Sequence, residues 1–309
     1  VPVDSAAGDF ATWGPVHLDV TDERRSLEFW SGTVGLQVLE RSAEGVRLGV
    51  EDGAELLVLH PGASAPVRRG HSGLYHLAIH LPSEAEFARA LGRLLTRGVP
   101  NAPTDHIMHW ATYLSDPDGI GLELSFETLD RFGSYADGRP MLIDSEGRLR
   151  GATEPLDLQE VFSYLGDREL ERPLPASTRI GHVHLHVAAV QPALDFYEAL
   201  GFHLNLDFSE FGGADMHAGG SFPHRLAVNT WQGAGAPPSP PGTAGLRHLE
   251  LRVRSASALG AAVERLAADG GVAGGGVLAQ HDSEHGAVLV RDPAGNRTLL
   301  SSDEAGVAQ

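Results

Sequence analysis

The chain has 309 residues, enough to bury one large core or two ordinary ones. Its formal charge of −18 repels nucleic-acid phosphates and anionic lipid surfaces, and the lack of cysteine excludes disulfide scaffolds, thiolate nucleophiles and cysteine-ligated zinc. Any metal must rest on Asp, Glu or the 16 histidines, which are the one conspicuous surplus in the composition.

The first element, PVHLDV at Pro15–Val20, alternates as a strand does, and SLEFWSGTVGL at Ser26–Leu36 follows as a short amphipathic helix ending at a glycine suited to a left-handed cap. LYHLAIHL at Leu74–Leu81 is a second strand, followed by the helical EAEFARALGRLLTRG and then by DPDG at Asp116–Gly119. In that turn Pro fixes φ and Gly supplies positive φ before a last strand containing Glu123. Glu123 stands between Leu122 and Leu124, so if its face is interior the carboxylate needs a cation; a metal or an arginine would serve. The segment 128–178 interrupts the pattern with the helical LDLQEVFSYLG and the Pro-rich ERPLPAS, and is expected to be a connector with a short helix.

The opening pattern then returns. HVHLHV at His182–Val187 precedes ALDFYEALGF at Ala193–Phe202, and Pro15 to His182 and Phe29 to Phe196 are both 167 residues apart. GAGAPPSPPGTAG at Gly233–Gly245 has the composition of a surface linker. LRHLELRV at Leu246–Val253, a helical ASALGAAVERLAADGG and DPAG at Asp292–Gly295 repeat the second unit. The expected class is α+β, with four βαβββ modules in curled mixed sheets. Two modules fall in an N-terminal half at 1–127 and two in a C-terminal half at 179–309.

These modules resemble the vicinal oxygen chelate superfamily over nearly the whole chain. GLYHLAIHLP, YLSDPDGIGLEL, GHVHLHV and HRLAVNTWQGAGAPP are similar to the two-domain type I extradiol ring-cleaving dioxygenases of the catechol 2,3-dioxygenase type. The resemblance implies a divalent metal in a concave sheet, ligated from the first strand of each module and from the last strand. The first-strand positions here are Pro15, His76, His182 and His248, and the last-strand positions are Glu123 and Leu299. Pairing the second module with the third completes a two-histidine, one-carboxylate triad of His76, Glu123 and His182. Pairing the first with the fourth leaves His248 alone, so that cavity is expected to be metal-free. Under a first-with-second pairing only His76 and Glu123 survive, with His17 a conceivable replacement for Pro15.

Further roles implied by the resemblance are catalytic ones for His224, as acid–base histidine on the last strand of the third module, for Tyr113, donating a hydrogen bond near a substrate oxygen, and for His106. His184, two residues from His182 and on its strand face, is expected to line the substrate pocket with Trp231 and His109, and His186 to lie further from the metal. Each of these also has an ordinary reading, as a surface histidine, a core tyrosine or a sheet-capping tryptophan. His217, His281 and His285 are expected at the surface.

The activity implied is oxygen-dependent cleavage of a catechol- or hydroquinone-type ring with Fe(II), the alternative metal being Mn(II). The rivals are a glyoxalase-type metal-dependent isomerase or lyase and a non-catalytic protein that sequesters small aromatics. The expected partners are a small aromatic substrate and O2, with no nucleic acid and no membrane. Sheet edges of such modules commonly pair, so a homo-oligomer is left open. The start VPVDSAAGDF has neither the basic residues nor the apolar run of a signal peptide, and a cytoplasmic location is expected.

Overall fold

A computed structural model describes residues 8–136, 141–166, 169–268, 275–280 and 286–303. The first module comprises β1 (Ala11–Val20), α1 (Glu23–Leu27), β2 (Gln37–Ser42), β3 (Gly45–Gly49) and β4 (Glu55–Pro61). The second comprises β5 (Gly73–His80), α2 (Glu84–Thr96), β6 (Ala102–Asp105), β7 (His109–Ser115) and β8 (Gly121–Glu127). After the connector come β13 (Arg179–His186), α4 (Val190–Leu200), β14 (His203–Phe208), β15 (Gly213–His217) and β16 (Leu226–Asn229), then β17 (Gly245–Val253), α5 (Ala256–Ala268), β18 (Gly276–Gln280), β19 (Val288–Arg291) and β20 (Arg297–Ser302). The connector itself holds β9 (Phe132–Tyr135), β10 (Met141–Asp144), β11 (Leu149–Gly151), β12 (Glu154–Pro155) and α3 (Leu158–Ser163). The fold is thus α+β, with strand-rich curled sheets and helices on one face. No described helix is long and apolar enough to cross a membrane.

The strands form two large sheets, ordered β12-β6-β7-β8-β5-β13-β16-β15-β14 and β18-β19-β20-β17-β1-β4-β3-β2. The second module therefore joins the third through the antiparallel β5–β13 pair, and the first joins the fourth through β1–β17. Strand alternation separates chemistry from core. Leu77, Ile79, Leu122, Leu124, Val183 and Leu185 belong to the hydrophobic cluster with Phe87 and Leu91 of α2 and Phe196 of α4. His76, Glu123, His182 and His184 alternate with them and so share the opposite face.

Both Asp-Pro-x-Gly segments are turns. Asp116 Oδ1 accepts from the amides of Asp118 and Ile120, Asp292 Oδ1 accepts from those of Ala294 and Asn296, and Gly119 and Gly295 have φ of 87° and 96°.

Several local expectations are corrected. The 26–36 helix is a short α-helix that widens into a π-helical turn over Glu28–Val34 before Gly35, at φ 98°. The connector carries a three-stranded sheet of β9, β10 and β11, and β12 extends the larger sheet beside β6. The Pro- and Gly-rich linker is bound along 64–72: the Ser72 amide donates to Pro237 O, the Ser64 amide to Gly242 O and the Ala244 amide to Ala65 O. His217 is buried on β15 rather than at the surface, its ring centroid 5.4 Å from that of His203. His281 and His285 lie outside the described residues.

Candidate metal centre

Sheet register assembles the centre. Glu123 is the Cα partner of Ala78 on one side and of Tyr113 on the other, while Ala78 pairs across β13 with His182. The row Tyr113–Glu123–Ala78–His182 crosses four strands, and the small Ala78 leaves room between carboxylate and imidazole. His76, two residues before Ala78 on β5, projects from the same face. A bulge between Ile180 and His182 adjusts the β13 register at the point where His182 is presented. Gly181 in that bulge is obligatory in a steric sense, because a Cβ there would stand 1.9 Å from His80 Cδ2.

His76 Nε2, His182 Nε2 and Glu123 Oε2 form a triangle whose three sides are each 3.2 Å. An octahedral face with metal–ligand bonds of about 2.2 Å has edges of about 3.1 Å, so the three atoms match a facial donor set. Glu123 is fully buried, its ion-pair neighbours are His76, His109 and His182, and neither of its oxygens has a partner in hydrogen-bond geometry. Burial lowers His76 to about 4 and pushes His182 well below the usual imidazole value. Two imidazoles thus face each other through Nε2 beside a buried carboxylate, and burial disfavours their charged forms. Burial alone would raise Glu123, but His182 and His109 hold it well below the ordinary carboxylate range. Such a cluster lacks one cation.

His109 Nε2 is 3.2 Å from Glu123 Oε1. It sits against the carboxylate, deeper than the pocket-lining role expected for it. Its ring stacks on His106, centroids 4.6 Å apart, across a tight turn in which Ile107 has φ 65°, a strained value for a β-branched residue. The strain is held by the Ile107 amide donating to Asp105 Oδ1 and by Thr128 Oγ1 donating to Ile107 O.

His106 Nδ1 donates to Ala152 O at 2.6 Å, because a carbonyl can only accept, and burial lowers this imidazole to about 4. Its Nε2 is therefore an acceptor for the Tyr113 hydroxyl, 2.7 Å away. The Tyr113 ring lies 5.4 Å from that of His76, and its proton is directed at His106.

His224 lies in the loop entering β16, two residues ahead of the strand, which corrects its expected place on the strand itself. Its ring centroid is 4.1 Å from that of His182. Nδ1 is 2.6 Å from Asp215 Oδ1 on β15, and Asp215 Oδ2 accepts from Asn205 Nδ2 at 2.8 Å and from the Tyr135 hydroxyl at 3.3 Å. Burial would lower His224, yet the Asp215 charge and hydrogen bond raise it above the ordinary value.

The rim is aromatic. Tyr75 stands edge-on to His184 and Trp231, with centroids 4.9 and 5.4 Å apart, and 4.9 Å from His186. Asn229 fixes both histidines, donating to His184 Nε2 at 2.8 Å and accepting from His186 Nδ1 at 2.7 Å. A cavity of about 790 Å³, with His76, Tyr113, Tyr75 and His186 in its wall, opens here, and Pro238–Gly245 of the linker line its far side. Tyr75, His80, Asp215 and Asn229 were not singled out in the sequence. Tyr75 and His80 lie on β5 beside His76, which was the available signal; Asp215 and Asn229 become recognisable only through their contacts.

The family description Glyoxalase/Bleomycin resistance protein/Dioxygenase superfamily matches residues 14–124 and 179–300. The chain belongs to this superfamily. A superfamily relative, the catechol-2,3-dioxygenase of Bacillus subtilis (strain 168), is 35% identical over 244 residues, covering 77% of this chain and 81% of the relative. Among solved structures, glyoxalase I from Zea mays superposes with a TM-score of 0.56 at 16% identity over 97% of this chain and 95% of its own. The cppA protein from Streptococcus pneumoniae TIGR4 gives 0.52 at 14% identity over 95% and 98%. At these identities the structures speak for the fold alone.

Proposed function

We propose that the chain is an extradiol dioxygenase that cleaves a catechol- or hydroquinone-type ring, with His76, Glu123 and His182 holding Fe(II), Mn(II) being the alternative for the same donors. The observation that carries this reading is the buried Glu123 carboxylate facing two neutral imidazoles on a 3.2 Å triangle. The catechol-2,3-dioxygenase relative supports the same reaction class. When bound, the metal supplies Lewis acidity toward the ring hydroxyls and redox chemistry toward dioxygen.

The chain's own residues divide the remaining work. His224, with Nδ1 committed to Asp215, uses Nε2 to take a phenolic proton and later return it, and Asp215 stabilises the imidazolium in between. Tyr113, whose hydroxyl donates to His106, offers lone pairs to a substrate hydroxyl. His109, whose Nε2 lies 3.2 Å from Glu123 Oε1, steadies the carboxylate by its proximity as an outer partner of the metal set. Tyr75, His184 and Trp231 hold the ring plane by stacking and edge contacts. Arg68, Arg69, Arg247, Arg291 and Arg297 line the outer cavity, with Asp19 the opposing charge beside Arg247, which favours an aromatic substrate bearing an anionic group.

Metal analysis of anaerobically purified chain, followed by incubation with Fe(II), oxygen and a panel of catechols, tests the reading. Bound iron and a ring-opened chromophore are expected, with Glu123→Gln weakening metal retention by about 100-fold or more. Undiminished metal content and turnover in Glu123→Gln would sink it.

A further inference from the structure

Among the described residues two groups of side chains have metal-binding geometry, and the second lies in the other sheet. His17 on β1 is the Cα partner of His248 on β17, and their rings stack with centroids 3.9 Å apart. The ligand atoms of His17, His248 and Glu250 all lie within 4.8 Å of one another. From sequence alone this cavity is expected to be metal-free, because Pro15 and Leu299 stand at the ligand positions. The register supplies a different set. His17 is the counterpart of His184 at the 167-residue offset, His248 is that of His76, and Glu250 takes the place of Ala78, so the carboxylate comes from the central strand.

The hydrogen bonds around His17 do not close on two neutral rings. His60 Nδ1 is 2.6 Å from Glu44 O, an acceptor, so that nitrogen carries a proton. His60 Nε2 is 2.9 Å from His17 Nδ1, and His17 Nε2 is 3.0 Å from Glu250 Oε1, again an acceptor. Three links between acceptor ends need three positive centres, and two neutral imidazoles bring two protons. With His60 donating to Glu44 and His17 Nδ1 donating to His60, His17 Nε2 points a lone pair at a carboxylate. A third proton, which makes His17 an imidazolium paired with Glu250, or a metal ion completes the chain. The other Glu250 oxygen is occupied by Arg252 at 3.4 Å, which holds the carboxylate while Oε1 faces His17.

We propose that His17 Nε2, Glu250 Oε1 and His248 bind a divalent first-row cation of the zinc class, with His60 fixing the His17 tautomer from behind. Two imidazoles and one carboxylate suit zinc, and the His60 contact is the outer partner that a ligating histidine ordinarily keeps. An ion there clamps β1 to β17, and thus the first module to the fourth, independently of the His76 centre.

Isothermal titration of the metal-stripped full-length chain with Zn(II) tests this. Two tight equivalents are expected, with one lost in His248→Ala and in Glu250→Gln and the other lost only in Glu123→Gln. A single equivalent in the unmodified chain overturns the proposal whatever the variants do, and so does retention of both equivalents in correctly folded His248→Ala and Glu250→Gln. Failure of the extradiol reading is separable, because it would leave the His248- and Glu250-dependent equivalent in place.

Discussion

His224 and Asp215 are joined by a 2.6 Å hydrogen bond that turns the histidine into the one member of the central cluster whose affinity for protons is raised. His76, His106, His182 and His184 are all lowered by burial. The fold therefore separates imidazoles that burial holds neutral from a group that can carry a proton.

The Asp215–His224 pair has a defined pH signature. A histidine raised on folding contributes stability below its unfolded value near 6.5, and that contribution is lost as pH rises through the higher folded value. Asp215→Asn is expected to cost about 1.5–3 kcal/mol at pH 6, as for a charge-assisted hydrogen bond, and less at pH 9. Urea unfolding at the two pH values measures this; an equal cost at both would contradict the assignment. The same variant should move the histidine limb of the pH–rate profile toward acid.

Gly181 provides a steric test of how the centre is presented. Its absent Cβ would lie 1.9 Å from His80 Cδ2, and His80 is itself fixed by a 2.7 Å bond to Glu127 Oε1. Gly181→Ala should destabilise the chain by about 1–3 kcal/mol through overpacking and displace His182. Adding His80→Ala should recover part of the loss, read by thermal denaturation. Additive losses in the double variant would mean that the two residues do not meet.

The arginines at the outer cavity predict a salt effect that depends on substrate. For a carboxylated catechol, kcat/KM should fall by about threefold or more between roughly 50 and 500 mM salt, as surface charges are screened. For uncharged catechol it should hardly change. Equal sensitivity of the two substrates in stopped-flow or steady-state assays would remove the arginines from substrate capture.

Part of the centre was legible because the resemblance implies its ligand positions and strands have a fixed period that puts them on one face. His76, Glu123 and His182 are visible as polar residues recurring where a repeated module puts one face inward, and alternation with Leu77, Leu122 and Val183 separates that face from the core. The partners that tune these residues are another matter. Asp215 reaches His224 from a neighbouring strand, Ala152 sets the His106 tautomer from 46 residues away, and Tyr135 reaches Asp215 from the connector, 80 residues distant. None of these distances has a period.

The sequence by itself determined the repeated modules, the Asp-Pro-x-Gly turns and the inward residues, since backbone periodicity and turn stereochemistry are local properties. Tertiary structure decided which modules share a sheet, so that β5 meets β13 and β1 meets β17, a pairing for which the sequence offered only the ligand inventory that the resemblance implied. It also decided that Glu250 stands where the other sheet has Ala78. Strand pairing is a choice among non-local contacts of similar local cost, so it is settled by the packing of the whole chain, and the chemistry of both histidine clusters follows from that choice.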